Sequence, residues 1–253
     1  MRVAVLASGS RGNAVVLEHD GAVLYFDSGL SGREHARRLG QSGLDCGPPS
    51  AIFLSHEHSD HLRGVGVLAR KFEAPVYTSP GTADAASNRL GRVPGLVRMP
   101  NGDSVELGGL RVSSFSVPHD AADPSGYVIQ WSGGRLGIAT DLGVAGPLVR
   151  SSLLGCSALL LEFNHDLEML WNGRYPWPLK QRIASATGHL SNDSAAELLA
   201  SVADAGLKLV VLAHLSEENN RAELASNAAR EVLEDQAVYA GLQDRALVSM
   251  DLD

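Results

Sequence analysis

Two cysteines, Cys46 and Cys156, are all that 253 residues contain, so neither a disulfide framework nor a cysteine-rich zinc module can be built, and a reducing cytoplasm is the expected setting. No apolar run approaches the ~18 residues that a membrane-crossing helix needs, which excludes an integral helical membrane protein. The stretch Met1–Ala7 is too short for the apolar segment of a signal peptide and runs straight into Ser8 and Gly9. Positive charge is also scarce. Against 29 Asp and Glu stand 21 Lys and Arg, a net charge of -8, so the whole-molecule field repels polyanions unless a local patch or bound cations reverse it. That argues against a passive nucleic-acid-binding module. Internal repeats with a period of 20 to 50 residues, low-complexity tracts and charge blocks are absent too, and a single domain spanning residues 1–253 is the expectation.

What is present is the balance of an ordinary protein with a sizeable core, 44% hydrophobic and 20% charged. Short aliphatic or β-branched runs read as strands: Val3–Leu6, Val15–Leu17, Val23–Phe26, Ala51–Leu54, Arg111–Val117, Tyr127–Trp131, Leu136–Ala139, Ala158–Leu161 and Leu209–Leu212. Apolar residues every three or four positions predict helices over Gly32–Gln41, Leu62–Phe72, Asp193–Ala205 and Asn219–Gln236, with Ser31 and Asn192 as N-caps. Turns at Asp20-Gly21 and Gly108-Gly109 join consecutive strands, and the helices are interleaved irregularly. Strict βαβ alternation is therefore excluded, and the pattern suits an α+β fold in which two sheets pack face to face under outer helices.

Nine histidines are the residues to explain, because imidazole is the commonest metal ligand and titrates near neutrality. Leu54-Ser55-His56-Glu57-His58-Ser59-Asp60-His61-Leu62 follows a strand and precedes a helix. In extended backbone His56 and His58 share a face, while Asp60 and His61 enter the first helical turn and aim elsewhere. Two ligands for one metal and two for a neighbour follow from that geometry. Crowding four such groups would be costly unless a cation balanced them. Further polar residues end apolar runs: Asp27 after Val23–Phe26, His119 after Phe115–Pro118, Asp141 after Gly137–Thr140, and His214 after Val210–Ala213. Each alone is more often a turn former than a ligand.

The string His56-x-His58-x-Asp60-His61, then His119, Asp141 and His214 in that order, with Asp27 upstream, resembles the full motif set of the metallo-β-lactamase superfamily over nearly the whole chain. The resemblance implies a four-layer αββα sandwich and two divalent metal ions. It places His56, His58 and His119 on the first ion, Asp60, His61 and His214 on the second, and Asp141 between them. Asp27 would hold the His-rich loop by hydrogen bonds. Histidines and carboxylates without cysteine suit Zn, Mn or Fe. Two ions about 3.5 to 4 Å apart can share a water and neutralise charge on the attacked group and the departing oxygen, so hydrolysis is expected. Asp60 could orient that water or take its proton.

Substrate has to be read outside the ligand set. Glu162 ends a strand, and His189 precedes the helix opened by Ser191-Asn192. They resemble the proton relay of the transfer-RNA-processing nucleases of the superfamily, which implies His189 as the acid for the leaving 3′-oxygen and Glu162 fixing its tautomer. The competing reading has His189 merely capping the helix. Ala7–Ser10 with Gly12-Asn13, Pro118–Pro124, Asn164–Asp166, Tyr175–Ile183, Gly188–Asn192 and Ala213–Asn220 resemble the YycJ/WalJ subgroup. That likeness implies 5′ to 3′ exonuclease activity on DNA, with RNA left open and manganese or a similar ion as cofactor. Ser10, Arg11 and Asn13 lie in a Gly/Ser loop able to hold a phosphate, or in a plain hairpin turn. Lys180 and Arg182, beside Tyr175 and Trp177, offer cations next to flat rings for phosphates and bases, and His165 adjoins the same region. A groove so restricted in an acidic protein predicts modest affinity and strong salt sensitivity. The alternative is a metal-dependent hydrolase of a small cyclic phosphodiester or other small ester. A regulatory protein with a structural metal site fits poorly with spare acid and base residues.

Overall fold

The computed structural model describes residues 1–253. In chain order the first half contains β1 (Arg2–Ala7), β2 (Ala14–His19), β3 (Ala22–Phe26), α1 (Gly32–Ser42), β4 (Ala51–Phe53), α2 (Ser59–Leu62), α3 (Val65–Phe72), β5 (Val76–Thr78), α4 (Pro80–Leu90) and β6 (Leu96–Arg98). The second half contains β7 (Ser104–Leu107), β8 (Leu110–Ser116), β9 (Ser125–Trp131), β10 (Gly134–Ala139), α5 (Pro147–Leu153), β11 (Ala158–Glu162), α6 (Leu167–Asn172), α7 (Trp177–Ile183), α8 (Asn192–Val202), β12 (Leu209–Ala213), α9 (Ala222–Arg230), β13 (Ala237–Ala240) and β14 (Met250–Asp251).

Two seven-stranded sheets result, ordered β14-β1-β2-β3-β4-β5-β6 and β13-β12-β11-β10-β9-β8-β7. Alternation along each strand sends one set of side chains between the sheets and the other under helices. Val3, Val5, Leu17, Leu24, Phe26 and Phe53 meet Val112, Tyr127, Ile129, Leu136, Leu160 and Val211 in the central core. Their neighbours Leu6, Val16, Tyr25 and Ile52 pack under Leu62, Leu68 and Leu90 of the first helical layer. Leu159, Leu161, Val210 and Leu212 pack under Leu153, Leu198 and Ala225 of the second. The layers therefore run helix, sheet, sheet, helix, the expected αββα sandwich. No helix is long and apolar enough to cross a membrane, and both cysteines are free.

The two halves repeat one order of pairing. From β1 to β6 the contacts are antiparallel twice and then parallel three times, and from β8 to β13 they are the same. Sequence inspection finds no repeat because pairing order survives complete change of side chains. This topology positions the site. The C-terminal ends of β3 and β4 in one sheet, and of β8, β10, β11 and β12 in the other, carry the polar residues that break the apolar runs.

Both expected turns form, with Asp20 and Gly21 at φ 48° and 84° and Gly108 and Gly109 at φ 55° and 80°, the left-handed pairs that suit a two-residue hairpin. Ser31 caps α1 as expected, its hydroxyl accepting from Glu34 N. At α8 the cap is Ser191, not Asn192, because Asn192 exchanges hydrogen bonds with Asn220 inside the protein. The expected helix over Leu62–Phe72 begins earlier and is divided at Gly64, whose N–H donates to Ser28 O at 2.7 Å. A β-carbon there would sit 2.2 Å from Leu30 O. The helix expected over Asn219–Gln236 is shortened to α9, since buried Asn219 and Asn220 spend their groups on Ser216 and Phe163.

Candidate metal centre

The structure brings all seven ligand-type residues together. The donor atoms of His56, His58 and His119 lie within 4.8 Å of one another, as do those of Asp60, His61, Asp141 and His214. His58 is the N-cap of α2, so His56 and His58 leave an extended segment while Asp60 and His61 leave the first helical turn. This is the division their spacing predicts.

Hydrogen bonds behind the rings decide which nitrogen faces the centre. Asp27 accepts Ser55 N, Ser55 Oγ and His61 Nδ1, each at 2.8 Å. His56 Nδ1 donates to Ser55 Oγ at 3.0 Å, and His119 Nδ1 donates to Gly188 O at 3.1 Å. Lone pairs are thus left pointing inward. His61 Nε2 faces Asp141 Oδ2 at 3.2 Å, His119 Nε2 faces His58 Nδ1 at 3.3 Å, and His214 Nε2 faces Asp141 Oδ1 at 3.3 Å and Asp60 Oδ2 at 3.5 Å. Asp141 Oδ2 and His56 Nε2 are buried with no hydrogen-bond partner. Buried imidazoles and carboxylates converging on one point, with Asp141 Oδ2 and His56 Nε2 left unpartnered, are unfavourable unless a cation lies among them, so this donor set fits a divalent metal.

The electrostatics agree. Burial would lower His61, but Asp141, Asp27 and Asp60 outweigh it and hold the ring well above its usual pKa. His214 is likewise opposed by burial yet held up at about 9, chiefly by Asp141 and Asp60. Burial and the neighbouring rings push His56 well below the usual value, and burial lowers His119. Asp141, which burial alone would raise, is pulled well below a normal carboxylate by His214, His61 and His56. The carboxylate side of the cluster therefore attracts positive charge, and His56 and His119 on the other side offer neutral nitrogen.

Three of these residues need an unusual backbone. Asp27, Asp141 and His214 have φ of 58°, 59° and 53°. Left-handed conformations of non-glycine residues cost on the order of 1–3 kcal/mol and concentrate at functional sites. Here each turns a side chain inward from the last residue beyond a strand. The ligand loop is also packed hard against its neighbours, because a β-carbon on Gly29 would lie 1.6 Å from Asp60 O.

Glu162 is fully buried at the end of β11. Its Oε1 accepts His189 Nδ1 at 2.8 Å, and its Oε2 accepts Leu142 N and Leu190 N at 3.0 and 3.1 Å. With both oxygens engaged, Glu162 orients His189, whose ring stacks 5.1 Å from that of His214 and reaches the cleft.

The cleft has a volume of about 270 Å³ and is lined by Ser10, Asp120, Tyr175, Arg182 and Ser216 as well as by the cluster. Of the residues expected to bind substrate, Ser10 and Arg182 reach it, with Arg182 Nε on Asp120 Oδ2 at 2.5 Å. Four others do not line it. Arg11 pairs with Glu217 and opens on a separate cavity with Arg38 and Arg63. Asn13 braces its own loop, bonding Gly9 N at 2.8 Å, while its N–H donates to Asp60 O at 2.7 Å. The N–H groups of Gly9, Arg11, Gly12 and Asn13 are all spent inside the protein, so the loop supports the ligand motif and is no open phosphate cradle. Lys180 is 7% exposed, with its ammonium on Trp171 O and Gly173 O at 2.7 and 2.8 Å. His165 is buried beneath the cleft, where burial lowers its pKa to about 4. Sequence reading missed Ser55, Asp120 and Ser216. Only their position beside His56, His119 and His214 hinted at them.

The family described as the beta-lactamase superfamily domain matches residues 23–215. The exodeoxyribonuclease YycJ of Bacillus anthracis is 40% identical over 243 residues, 95% of this chain and 92% of the relative. The exodeoxyribonuclease WalJ of Streptococcus pneumoniae serotype 2 is 38% identical over 228 residues, 88% of this chain and 85% of the relative. Among solved structures, the metallo-beta-lactamase fold protein YhfI from Bacillus subtilis superposes with a TM-score of 0.75 at 14% identity, covering 97% of this chain and 98% of its own. With the sandwich, the ordered ligand residues and these relatives in agreement, the chain belongs to the beta-lactamase superfamily and is one of its metal-dependent hydrolases.

Proposed function

We propose that this protein is an exodeoxyribonuclease that removes nucleotides from the 5′ end of DNA, working with two divalent ions drawn from Mn, Zn or Fe. The observation that carries the reading is the Glu162–His189 pair, 2.8 Å apart and set directly against the ligand cluster. Two relatives called exodeoxyribonucleases, matched over most of both chains, supply the polymer and the sugar.

His56, His58 and His119 would hold one ion and Asp60, His61 and His214 the other, with Asp141 between them. When bound, the ions supply Lewis acidity toward the phosphoryl oxygens and lower the pKa of water. The rest is done by side chains. Asp60 accepts the proton of the attacking water at its free carboxylate oxygen and keeps the water in line with phosphorus. As the P–O3′ bond breaks, His189 gives its Nε2 proton to the departing 3′-oxygen. Glu162 Oε1 holds the opposite nitrogen, so the donor is aimed before substrate arrives. Arg182, held by Asp120 at the rim, meets a flanking phosphate, and Ser10 lines the same cleft.

The test is incubation with 5′-labelled and 3′-labelled single-stranded and duplex DNA, with RNA controls, across added Mn, Zn and Mg. Mononucleotide release beginning at the 5′ end supports the proposal. Inertness toward every polymer, with turnover of a small cyclic ester, would replace it with the small-ester hydrolase.

A further inference from the structure

The cleft has two unlike walls. One is the ligand cluster with His189. The other contains every apolar residue that lines the cleft, Tyr175, Leu179 and Ile183, and all three come from the excursion between β11 and α8. Leu179 and Ile183 are four residues apart on α7, hence on one face of that helix, and Arg182 sits beside them at the rim. Trp171 and Trp177 pack against each other with tilted rings, 5.3 Å apart, and do not line the cleft.

This wall is built in advance. The Lys180 ammonium ties α7 to the carbonyls of Trp171 and Gly173, so the loop carrying Tyr175 is fastened to the helix carrying Leu179 and Ile183. At the far end Gly188 lies so close that a β-carbon would be 2.2 Å from both Arg182 O and Ile183 O, and His189 N donates to Ile183 O at 2.8 Å. The wall and the proton donor therefore move as one unit. Pre-formed surfaces of this kind bind without the cost of ordering a loop.

A nucleotide has matching halves, a charged phosphate and a flat, largely apolar base. At about 270 Å³ the cleft lies just below the ~300–1,000 Å³ typical of small-molecule sites, a size that suits a single nucleotide. A tyrosine face accepts any base.

Resting on the exonuclease reading above, we propose that Tyr175, Leu179 and Ile183 receive the base of the terminal nucleotide, so that the nucleotide being removed enters the cleft unpaired. Duplex ends are then substrates only to the extent that their last pair opens.

The test is a set of oligonucleotide duplexes that differ only at the end being removed: closed by G·C, closed by A·T, terminally mismatched, or with a short single-stranded tail. Release of the first nucleotide is expected to be roughly 3- to 40-fold faster from mismatched or tailed ends than from G·C ends, the range of one stacking step. Tyr175→Ala should raise KM for tailed substrates by roughly 5- to 100-fold with a smaller change in kcat, and Tyr175→Phe should retain most of the binding. Equal rates from all ends, or an unchanged KM in Tyr175→Ala, overturns this inference and leaves the exonuclease standing. No release from any DNA end overturns the exonuclease reading and this inference with it. The wild-type series needs no variant to fold.

Discussion

Asp27 and Asp141 occupy matching places in the two halves of the molecule. Asp27 lies just past β3 and Asp141 just past β10, the third strands of the repeated pairing orders β1–β6 and β8–β13, and each takes a left-handed backbone, with φ of 58° and 59°. Their fates differ. Asp27 is spent on Ser55 and His61, all at 2.8 Å, whereas Asp141 keeps one oxygen without any hydrogen-bond partner. The same backbone device thus presents a committed carboxylate in the first half and an uncommitted one in the second, and what separates them is whether the carboxylate is already satisfied. A metal centre needs both kinds, an uncommitted oxygen to bind and a committed one to hold the imidazole still.

Replacing the two acids one at a time should expose that difference. Asp141→Asn removes the charge facing His61 and His214, and a loss of several kcal/mol of metal-derived stabilisation corresponds to at least ~1,000-fold in kcat/KM. Metal content by elemental analysis should fall in parallel. Asp27→Asn should retain the ligands yet weaken metal affinity by roughly 10- to 100-fold, with activity restored at high metal concentration. Equal losses that added metal cannot restore in either variant would erase the distinction between ligand and support.

A second contrast lies between holding metal and moving protons. Glu162 ends β11 in the second half, and the matching strand end in the first half is Ser55-His56 after β4. His189→Ala should lower kcat by roughly 100- to 10,000-fold while the metal content stays at the wild-type level. Metal loss in that variant would place His189 among the ligands.

How much of this could be read from the sequence differed by region for physical reasons. Residues 54–62 were legible because crowded titratable groups at a strand end have few explanations other than a cation. The long apolar strands were legible for the same reason that they are buried on both faces. Ser55 was not, since an isolated serine carries no pattern, and its role exists only once Asp27, His56 and His61 surround it. The three-residue strands β5 and β6 are too short to show a period. Lys180 misled most. Its charge and aromatic neighbours suggested phosphate, but the loop folds back and gives its ammonium two carbonyls instead. A smaller effect is expected there: Lys180→Met should loosen the cleft wall and raise KM for DNA by roughly 3- to 10-fold, below the worth of a stacked base, with kcat nearly unchanged.

The mildest difference between the halves concerns acid. After Asp27 the chain is tied to α1 through Ser28 Oγ and His35 Nδ1, 2.9 Å apart, with the imidazole packed on Tyr25 at 4.6 Å. After Asp141 the chain is held by Leu142 N donating to the buried Glu162 carboxylate at 3.0 Å and by Gly143 N donating to Pro118 O at 2.9 Å, with no imidazole in either bond. Burial lowers His35 from 6.5 to about 4, so between those values the unfolded chain binds a proton that the folded protein refuses. Stability from this group is complete above pH 6.5, falls as the pH drops toward 4, and changes no further below that. The loss amounts to roughly 2–3 kcal/mol by pH 4.5. His35→Gln can still meet Ser28 but cannot titrate. In urea denaturation with a chelator present, the stability of wild type relative to His35→Gln should shrink by about that amount between pH 7 and pH 4.5. A constant difference across the two pH values would show that the support of the first half does not sense acid through His35.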